Sequence, residues 1–492
     1  MKDAILAIDQ GTTSSRAVIY DLAGTQICAS QQEFAQIYPN PGWVEHDPED
    51  IWHSVLQTIQ NAVATAKDKG YVPIACGITN QRETTMIWDR NTGKAITHAI
   101  VWQDRRTADY CDTLKAKGFE AEVSQRTGLL LDPYFSATKI TWILDNIDGA
   151  RVRAERGELA FGTVDSFLIW RLTNGASHTT DATNASRTAL YDIHAGQWSP
   201  ELLTMFDVPA AILPQVLDCV ADFGRIDAAH CGVCIPILAV AGDQQAASVG
   251  QACFNVGDLK STFGTGSFML VNTGAKVVQS KHRLLATIAY QLDGKPTYAL
   301  EGSILSAGST MGWVRDGLGL IKNIDECEAL ARSIPDTGGV YLVPAFVGLG
   351  APHWDPKARG AILGLTRGSG RAEIVRAALE SVVYQTRDLV VALAHDGVDV
   401  AKIRVDGGMV RNDWLLQFMA DILDTEVERP TNIESTANGA AALAALGAGV
   451  YTSLADIGKN RKIEQVFSPK LASETRKKWV LGWDQALGRI LN

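Results

Sequence analysis

Ile5-Leu-Ala-Ile-Asp-Gln-Gly-Thr-Thr-Ser-Ser-Arg-Ala-Val-Ile-Tyr20 is an apolar run that breaks at an acid and a glycine, displays four hydroxyls, and turns apolar again. The pattern spells a strand, a tight turn and a returning strand. Asp9 ends the first strand, and Gly11 lets the backbone bend or approach a ligand closely. Thr12, Thr13 and Ser14 offer hydroxyl and amide donors to phosphate oxygens. Asp9 could hold Mg2+, directly or through water, because magnesium takes one or two carboxylates beside retained waters and substrate phosphates. Taken alone, the segment reads equally well as an ordinary polar hairpin turn.

A second segment shifts that balance. Asp258-Leu-Lys-Ser-Thr-Phe-Gly-Thr-Gly-Ser-Phe-Met-Leu-Val-Asn-Thr273 repeats the design, with its turn at Gly264 to Gly266. Two such hairpins, each near the start of one half of the chain, predict two similar lobes gripping one polyphosphate from opposite sides. A third glycine motif, Ile403-Arg-Val-Asp-Gly-Gly-Met-Val-Arg-Asn412, follows a short strand and precedes a helical pattern starting near Trp414. Glycine turns and helix starts leave backbone amides free for a nucleotide.

At 492 residues the chain exceeds the size at which one hydrophobic core keeps growing, so two large lobes are expected. Apolar residues make up 46% and charged residues 20%, the composition of an ordinary globule. No apolar stretch approaches the length a bilayer span needs, and the short N-terminal run meets Asp9 too soon for a signal peptide. A cytoplasmic enzyme with no integral membrane association is the expectation. The formal charge of −10 argues against broad nucleic-acid binding, which relies on basic surfaces. Of the 8 cysteines only Cys231 and Cys234 form a CxxC pair, and with no second pair ordinary packing is expected there.

Strand and helix signals alternate throughout, which implies α/β lobes. Strand-like runs include Ile74–Thr79, Ile237–Val240, Met269–Val271 and Val340–Val343. Asp47 followed by Pro48 marks a helix start. Arg371–His395 is a long helical pattern, and Asn438–Ala448 is alanine-rich enough to pack closely on a neighbour. No low-complexity linker intervenes, so motifs place the boundary near Gln251 to Asp258. The expected lobes are 1–252, with the first hairpin, and 253–492, with the second.

Phosphoryl transfer from ATP to an alcohol needs a hydroxyl held in line, a proton acceptor and neutralisation of negative charge. Asp243 is the best candidate for the base: it follows the strand Ile237–Val240, in what reads as a Gly-Asp-Gln-Gln turn between the lobes. On its own, an aspartate after glycine reads more simply as a turn residue. Likewise Arg82 beside Glu83 would be a solvated pair, Trp102 core filling and Arg16 a strand-end arginine.

Further blocks run in order along the chain: Gly77-Ile-Thr-Asn-Gln-Arg-Glu-Thr-Thr85, Ile100-Val-Trp-Gln-Asp-Arg-Arg106, Asp132-Pro-Tyr-Phe135, Thr183-Asn-Ala-Ser-Arg-Thr188, Ala241-Gly-Asp-Gln-Gln-Ala246 and Val343-Pro-Ala-Phe-Val-Gly-Leu-Gly-Ala-Pro352. With these the chain resembles, nearly end to end, the glycerol kinases of the carbohydrate kinase family. Their lobes share the ribonuclease H-like fold of actin, hexokinase and the heat-shock ATPases. The resemblance implies two such α/β lobes around a cleft, and transfer of phosphate from ATP to glycerol with Mg2+ present.

It also implies roles, residue by residue. Asp243 matches the catalytic base and contacts the polyol, together with Arg82, Glu83, Trp102, Tyr134, Gln244 and Phe268. Arg82 can donate and Glu83 accept hydrogen bonds from hydroxyls, while Trp102 and Phe268 can cover carbon. Thr12, Thr13, Ser14, Arg16 and Thr265 match the phosphate site, and Gly308, Gly408 and Asn412 the other nucleotide contacts. A guanidinium at Arg16 suits phosphate oxygens. Gly312 departs from the glutamine of well-known bacterial members. Cys234 stands where some members carry an arginine for fructose 1,6-bisphosphate, so that inhibition is expected to be weak. His230 lies near a histidine that others phosphorylate, but its flanks do not match and no such role is expected. A homodimer or homotetramer binding glycerol and ATP/ADP is implied. The rivals are a kinase of a pentulose, gluconate or erythritol, and a non-catalytic actin-like nucleotide-binding module.

Overall fold

Two sheets carry the architecture, and both follow one plan. The structure, a computed structural model, describes residues 1–355 and 357–491. In the first sheet, Lys2–Gln10, Ser14–Asp21 and Gln26–Glu33 form an antiparallel meander. Tyr71–Asn80 and then Ile235–Gly242 join the other side of Lys2–Gln10 in parallel. In the second sheet, Asp258–Phe263, Ser267–Gly274 and Lys295–Ile304 form the meander, and Lys402–Asp406 and Val427–Pro430 add in parallel. Leu285–Leu292 and Ile463–Phe467 close its two edges, making seven strands against six in the first sheet.

The opening strand is central in its sheet, which explains the apolar run from Ala4 to Ile8: all five residues are buried, as expected where both faces are covered. One cover is the helix Pro48–Asp68, which starts as its sequence predicts, with Asp47 Oδ1 accepting from the Glu49 amide at 2.9 Å. In the second half Arg371–His395 does the corresponding work, with a buried stripe from Val375 to Leu393.

Two further helices meet at the junction of the sheets. Asp243–Gly250 leaves the end of strand Ile235–Gly242, and Ser435–Gly447 follows strand Val427–Pro430. They cross almost backbone on backbone: a methyl at Gly439 would lie 1.8 Å from the Ala246 carbonyl oxygen, and one at Gly250 2.2 Å from that of Ser435. The same alanine-rich helix rests on the first sheet, where a methyl at Gly77 would lie 2.1 Å from the Ala440 carbonyl. Close packing of that segment is thus met by its small residues. Among the described residues no helix is long and apolar enough to cross a membrane.

Candidate active site

Asp243 is the first residue of its helix, at the mouth of the cleft. The Gly-Asp-Gln-Gln segment is therefore a strand end and helix start, not the turn its composition suggested. The helix N-terminus, with free amides and positive dipole, favours a carboxylate there. The Gln244 amide donates to Asp243 Oδ1 at 2.7 Å, and Arg82 Nε lies 3.0 Å from the same oxygen. Gly242 makes room for this, since a methyl there would come 2.7 Å from Arg82 Cδ. Arg82 is buried, with 2% of its side chain exposed, whereas Asp243 keeps 30% open to the cleft.

Behind Arg82 runs a chain of buried charge. Glu301, on Lys295–Ile304 of the second sheet, accepts from Arg82 Nη1 at 2.5 Å and from Arg187 Nη2 at 2.8 Å, and Arg187 Nε donates to Glu83 at 2.7 Å. Burial alone would push the Glu301 carboxyl up, but Arg187 and Arg82 together hold it below the usual range. For Glu83 burial wins over Arg187 and Arg82, and its carboxyl is raised. Burial works against the charge of both arginines, yet the carboxylates raise each above its ordinary value. Charges this deep persist only when paired. Glu83 also has a φ of 61°, rare for a non-glycine residue, with Ser136 Oγ and Thr85 Oγ1 both donating to its carbonyl at 3.0 Å.

Aromatic rings wall the same space. Trp102 packs edge-on against Tyr134 at 5.5 Å and Phe268 at 6.0 Å, the latter coming from the second hairpin. Lys139 Nζ donates to the carbonyls of Pro133 and Tyr134 at 2.7 and 2.6 Å, which pins the Tyr134 segment. Trp102 Nε1 donates to Thr12 Oγ1 at 3.0 Å and so ties this wall to the first hairpin.

In the first hairpin the Gly11 amide donates to the Ser14 carbonyl at 2.9 Å, Thr13 is exposed, and Ser14 Oγ accepts from Gln31 at 3.0 Å. Arg16 Nη1 lies 2.5 Å from Glu434. Asp9 is pushed up to about 7, chiefly by burial, against the pull of Arg16 and with help from Asp243 and Glu434. Thr79, its partner in register on the neighbouring strand, has a buried hydroxyl with no protein partner. Among the described residues no cluster of three or more His, Cys, Asp or Glu side chains could hold a metal. A lone carboxylate, costly to ionise and beside an unpaired hydroxyl, does fit an ion whose other ligands are phosphates and waters.

The second hairpin and the helix Gly308–Asp316 are joined. The Ala307 and Ser309 amides both donate to the Thr265 carbonyl at 3.0 Å, and a methyl at Gly308 would lie 2.5 Å from the Gly264 carbonyl oxygen. Gly408 is exposed at the start of a short turn, and Asn412 Oδ1 caps the helix Asp413–Leu423 by accepting from the Leu415 amide at 2.9 Å. Met409 lies close to Gly308, so these segments adjoin. A side chain at Gly312 would point into open space.

Arg82, Glu83, Trp102, Tyr134, Asp243, Gln244 and Phe268, the residues expected at the acceptor, thus lie together, and the first hairpin touches them through Trp102. The residues of the second nucleotide segment form a neighbouring group on the other sheet. Sequence reasoning missed Glu301, Lys260 and Glu434, and gave no role to Arg187. Arg187 lay inside a quoted block, and a single acid in the apolar strand around Glu301 was a signal of buried pairing. Elsewhere, a groove of about 950 Å³ on the first half is lined by Glu49, Lys94 and Trp170 among others, and within it Glu49 pairs with Arg171 at 2.6 Å. Cys231 donates to the Val233 carbonyl at 3.4 Å. His230 is half-buried, its ring 5.3 Å from that of Trp52.

Two like-built α/β lobes that meet at a cleft are the two-lobed actin-like ATPase fold. The chain belongs to the FGGY family of carbohydrate kinases: residues 4–250 match the family's N-terminal domain and residues 259–448 its C-terminal domain. It is 57% identical to the glycerol kinase of Rhodospirillum centenum, over 99% of this chain and 98% of that protein. To glycerol kinase 1 of Pseudomonas aeruginosa it is 57% identical over 100% and 99%. The crystal structure of Plasmodium falciparum glycerol kinase with ADP superposes with a TM-score of 0.95 at 38% identity, covering 100% of this chain and 99% of that one.

Proposed function

We propose that the protein transfers the γ-phosphoryl group of ATP to a terminal hydroxyl of glycerol, giving sn-glycerol 3-phosphate and ADP. The observation that carries this reading is the convergence, on a half-open Asp243, of a buried arginine at 3.0 Å and an aromatic wall tied to a hydroxyl-bearing hairpin. The names of the close relatives point the same way.

Asp243 accepts the proton of the attacking hydroxyl, and Arg82, 3.0 Å from its Oδ1, orients the carboxylate. Arg82, Glu83 and Gln244 meet the polyol hydroxyls, while Trp102, Tyr134 and Phe268 cover its carbon and exclude water that would compete as acceptor. Thr12, Thr13, Ser14, Arg16 and Thr265 receive the phosphates, with Gly308, Gly408 and Asn412 at the rest of the nucleotide. Asp9 would hold Mg2+, directly or through water, and the ion would neutralise phosphate charge there. Residues 1–252 and 253–492 act as the two lobes, closing over both substrates.

An ADP-release assay across glycerol, dihydroxyacetone, erythritol, xylulose and gluconate tests the reading. Glycerol is expected to turn over fastest. Preference for a pentulose or gluconate would reassign the acceptor, and no turnover with any of them would favour a binding module. ATP as co-substrate fits a cytoplasmic protein. A homodimer or homotetramer is expected, which light scattering reads directly.

A further inference from the structure

Lys260 is a buried cation that the reaction as derived does not use. It lies on Asp258–Phe263, the central strand of the second sheet, with its side chain fully enclosed. Its ammonium donates to the side-chain oxygen of Gln244, the second residue of the helix that Asp243 begins, so the contact joins the two lobes. A lysine has donors and no acceptor, so it must face the amide oxygen and never the NH2 group. The orientation of the Gln244 amide, otherwise ambiguous, is thereby decided. Among the described residues the NH2 end of Gln244 donates to no protein group and is not an orphaned buried atom, which leaves it facing the cleft.

We propose that Lys260 is a positioning residue for the acceptor site: by occupying the oxygen of Gln244 it presents the Gln244 NH2 group, from across the lobe junction, as a donor to a substrate hydroxyl oxygen. This rests on the glycerol reading above. Three properties of the contact support it. Burial makes an unbonded ammonium costly, so Lys260 holds its partner strongly. Burial, helped by Arg82, draws the ammonium below its ordinary range, and the nearby charges of Asp406, Asp243 and Glu301 limit that fall. And because the bond joins the first residues of the Asp243 helix to the opposite sheet, it forms only when the lobes are apposed as here.

The test is glycerol affinity by calorimetry, without nucleotide, alongside ADP affinity and melting temperature. Lys260→Met keeps the aliphatic length and removes the donor; it should weaken glycerol binding about 10- to 100-fold, the scale of a hydrogen bond to a charged group. ADP affinity should hold. On a Gln244→Ala background the same change should add little, the signature of a shared pathway. Gln244→Glu supplies a variant that keeps the Lys260 bond as an ion pair: it should fold at least as stably, yet lose glycerol affinity because its cleft-facing atom no longer donates. Unchanged glycerol binding in Lys260→Met, or full additivity with Gln244→Ala, would overturn the proposal. So would parallel loss of glycerol binding, ADP binding and melting temperature with Gln244→Glu binding glycerol normally, since Lys260 would then be merely structural. If the unmodified protein binds no glycerol, the acceptor assignment itself fails, and the inference with it.

Discussion

The two halves of the molecule share a strand order but have been put to different chemical use. Between its second and third parallel positions the first half carries the long segment from Gln81 to Cys234, which brings Arg82, Glu83, Trp102, Tyr134 and Arg187 to the cleft. The second half reaches that group with Glu301, Phe268 and Lys260, each from a strand of its sheet. The hairpins differ in the same sense. The first places a carboxylate, Asp9, where ionisation is expensive, and an arginine facing another acid. The second has no acid in its turn and is compressed against Gly308, so it presents backbone. A common fold therefore supplies the two opposed surfaces, and on the reading proposed above the unequal charge placed on them divides acceptor chemistry from nucleotide cradle.

The sharpest way to break this comparison is Asp243→Asn, which keeps size and removes the proton acceptor. Turnover by ADP release should fall about 10²- to 10⁴-fold, the scale of general acid–base catalysis. Glycerol affinity by calorimetry should fall less, because Arg82, Glu83, Trp102 and Tyr134 remain. Near-normal turnover would place the base elsewhere, or mean that a loose phosphoryl-transfer transition state needs little prior proton removal.

Next in size is Glu301→Gln, which tests whether this buried acid of the second half is what lets the first half's two arginines exist. Removing it leaves Arg82 and Arg187 short of a partner in the interior. Loss of one member of a buried ion pair costs about 3–5 kcal/mol. Chemical denaturation should show that loss. Glu301→Met combined with Arg187→Met should recover part of it, since the surplus charge is removed along with its partner.

Legibility in the sequence divides along the same line. Strand and helix order, the cap at Asp47 and the span Arg371–His395 could be read locally, because periodicity and capping are local physics. Asp243, Arg82 and Trp102 could be read because they sit inside contiguous motifs. The Glu83–Arg187–Glu301–Arg82 chain could not: its pairs join residues 104 to 219 positions apart, and each side chain alone resembles a surface charge. Lys260 was hidden for the same reason, because only the opposite lobe makes a strand lysine a buried donor. The Gly-Asp-Gln-Gln segment was misread as a turn because glycine and aspartate suit a helix start as well as a turn.

Asp9→Asn separates cost from use in the first hairpin. With Asp9 raised from 3.8 to about 7, the folded protein holds a proton that the unfolded chain has released between those values. Stability therefore falls as pH rises from about 4 to about 7, and above 7 the folded protein carries the whole penalty. The asparagine variant lacks this penalty, so its melting temperature should exceed the parent's at pH 8, with the gap closing toward pH 4. Turnover should nevertheless drop about 10- to 100-fold, the usual loss when a metal's supporting ligand is removed. A variant that is no more stable at pH 8 would mean that Asp9 ionises without strain.

The smallest expected effect belongs to the pair that bridges the halves at the rim, Arg16 and Glu434. Glu434 keeps 49% of its side chain exposed and Arg16 18%, so their contact at 2.5 Å is screened by solvent. Pairs of this kind contribute about 0–1 kcal/mol, and Glu434→Gln should barely move the melting temperature. Its effect lies in what the two residues do to others. Released from the acid, Arg16 has its full fork for a phosphate oxygen, and the KM for ATP should fall by about 2- to 5-fold, a change within 1 kcal/mol. Glu434 also adds to the forces raising Asp9, so its removal should shift the acidic limb of the turnover profile toward lower pH. Both shifts should shrink in high salt, as interactions between exposed charges do. A rise in the KM for ATP would instead mean that Glu434 holds Arg16 in the orientation that phosphate needs, and that the rim of the second half contributes more than backbone to the cradle.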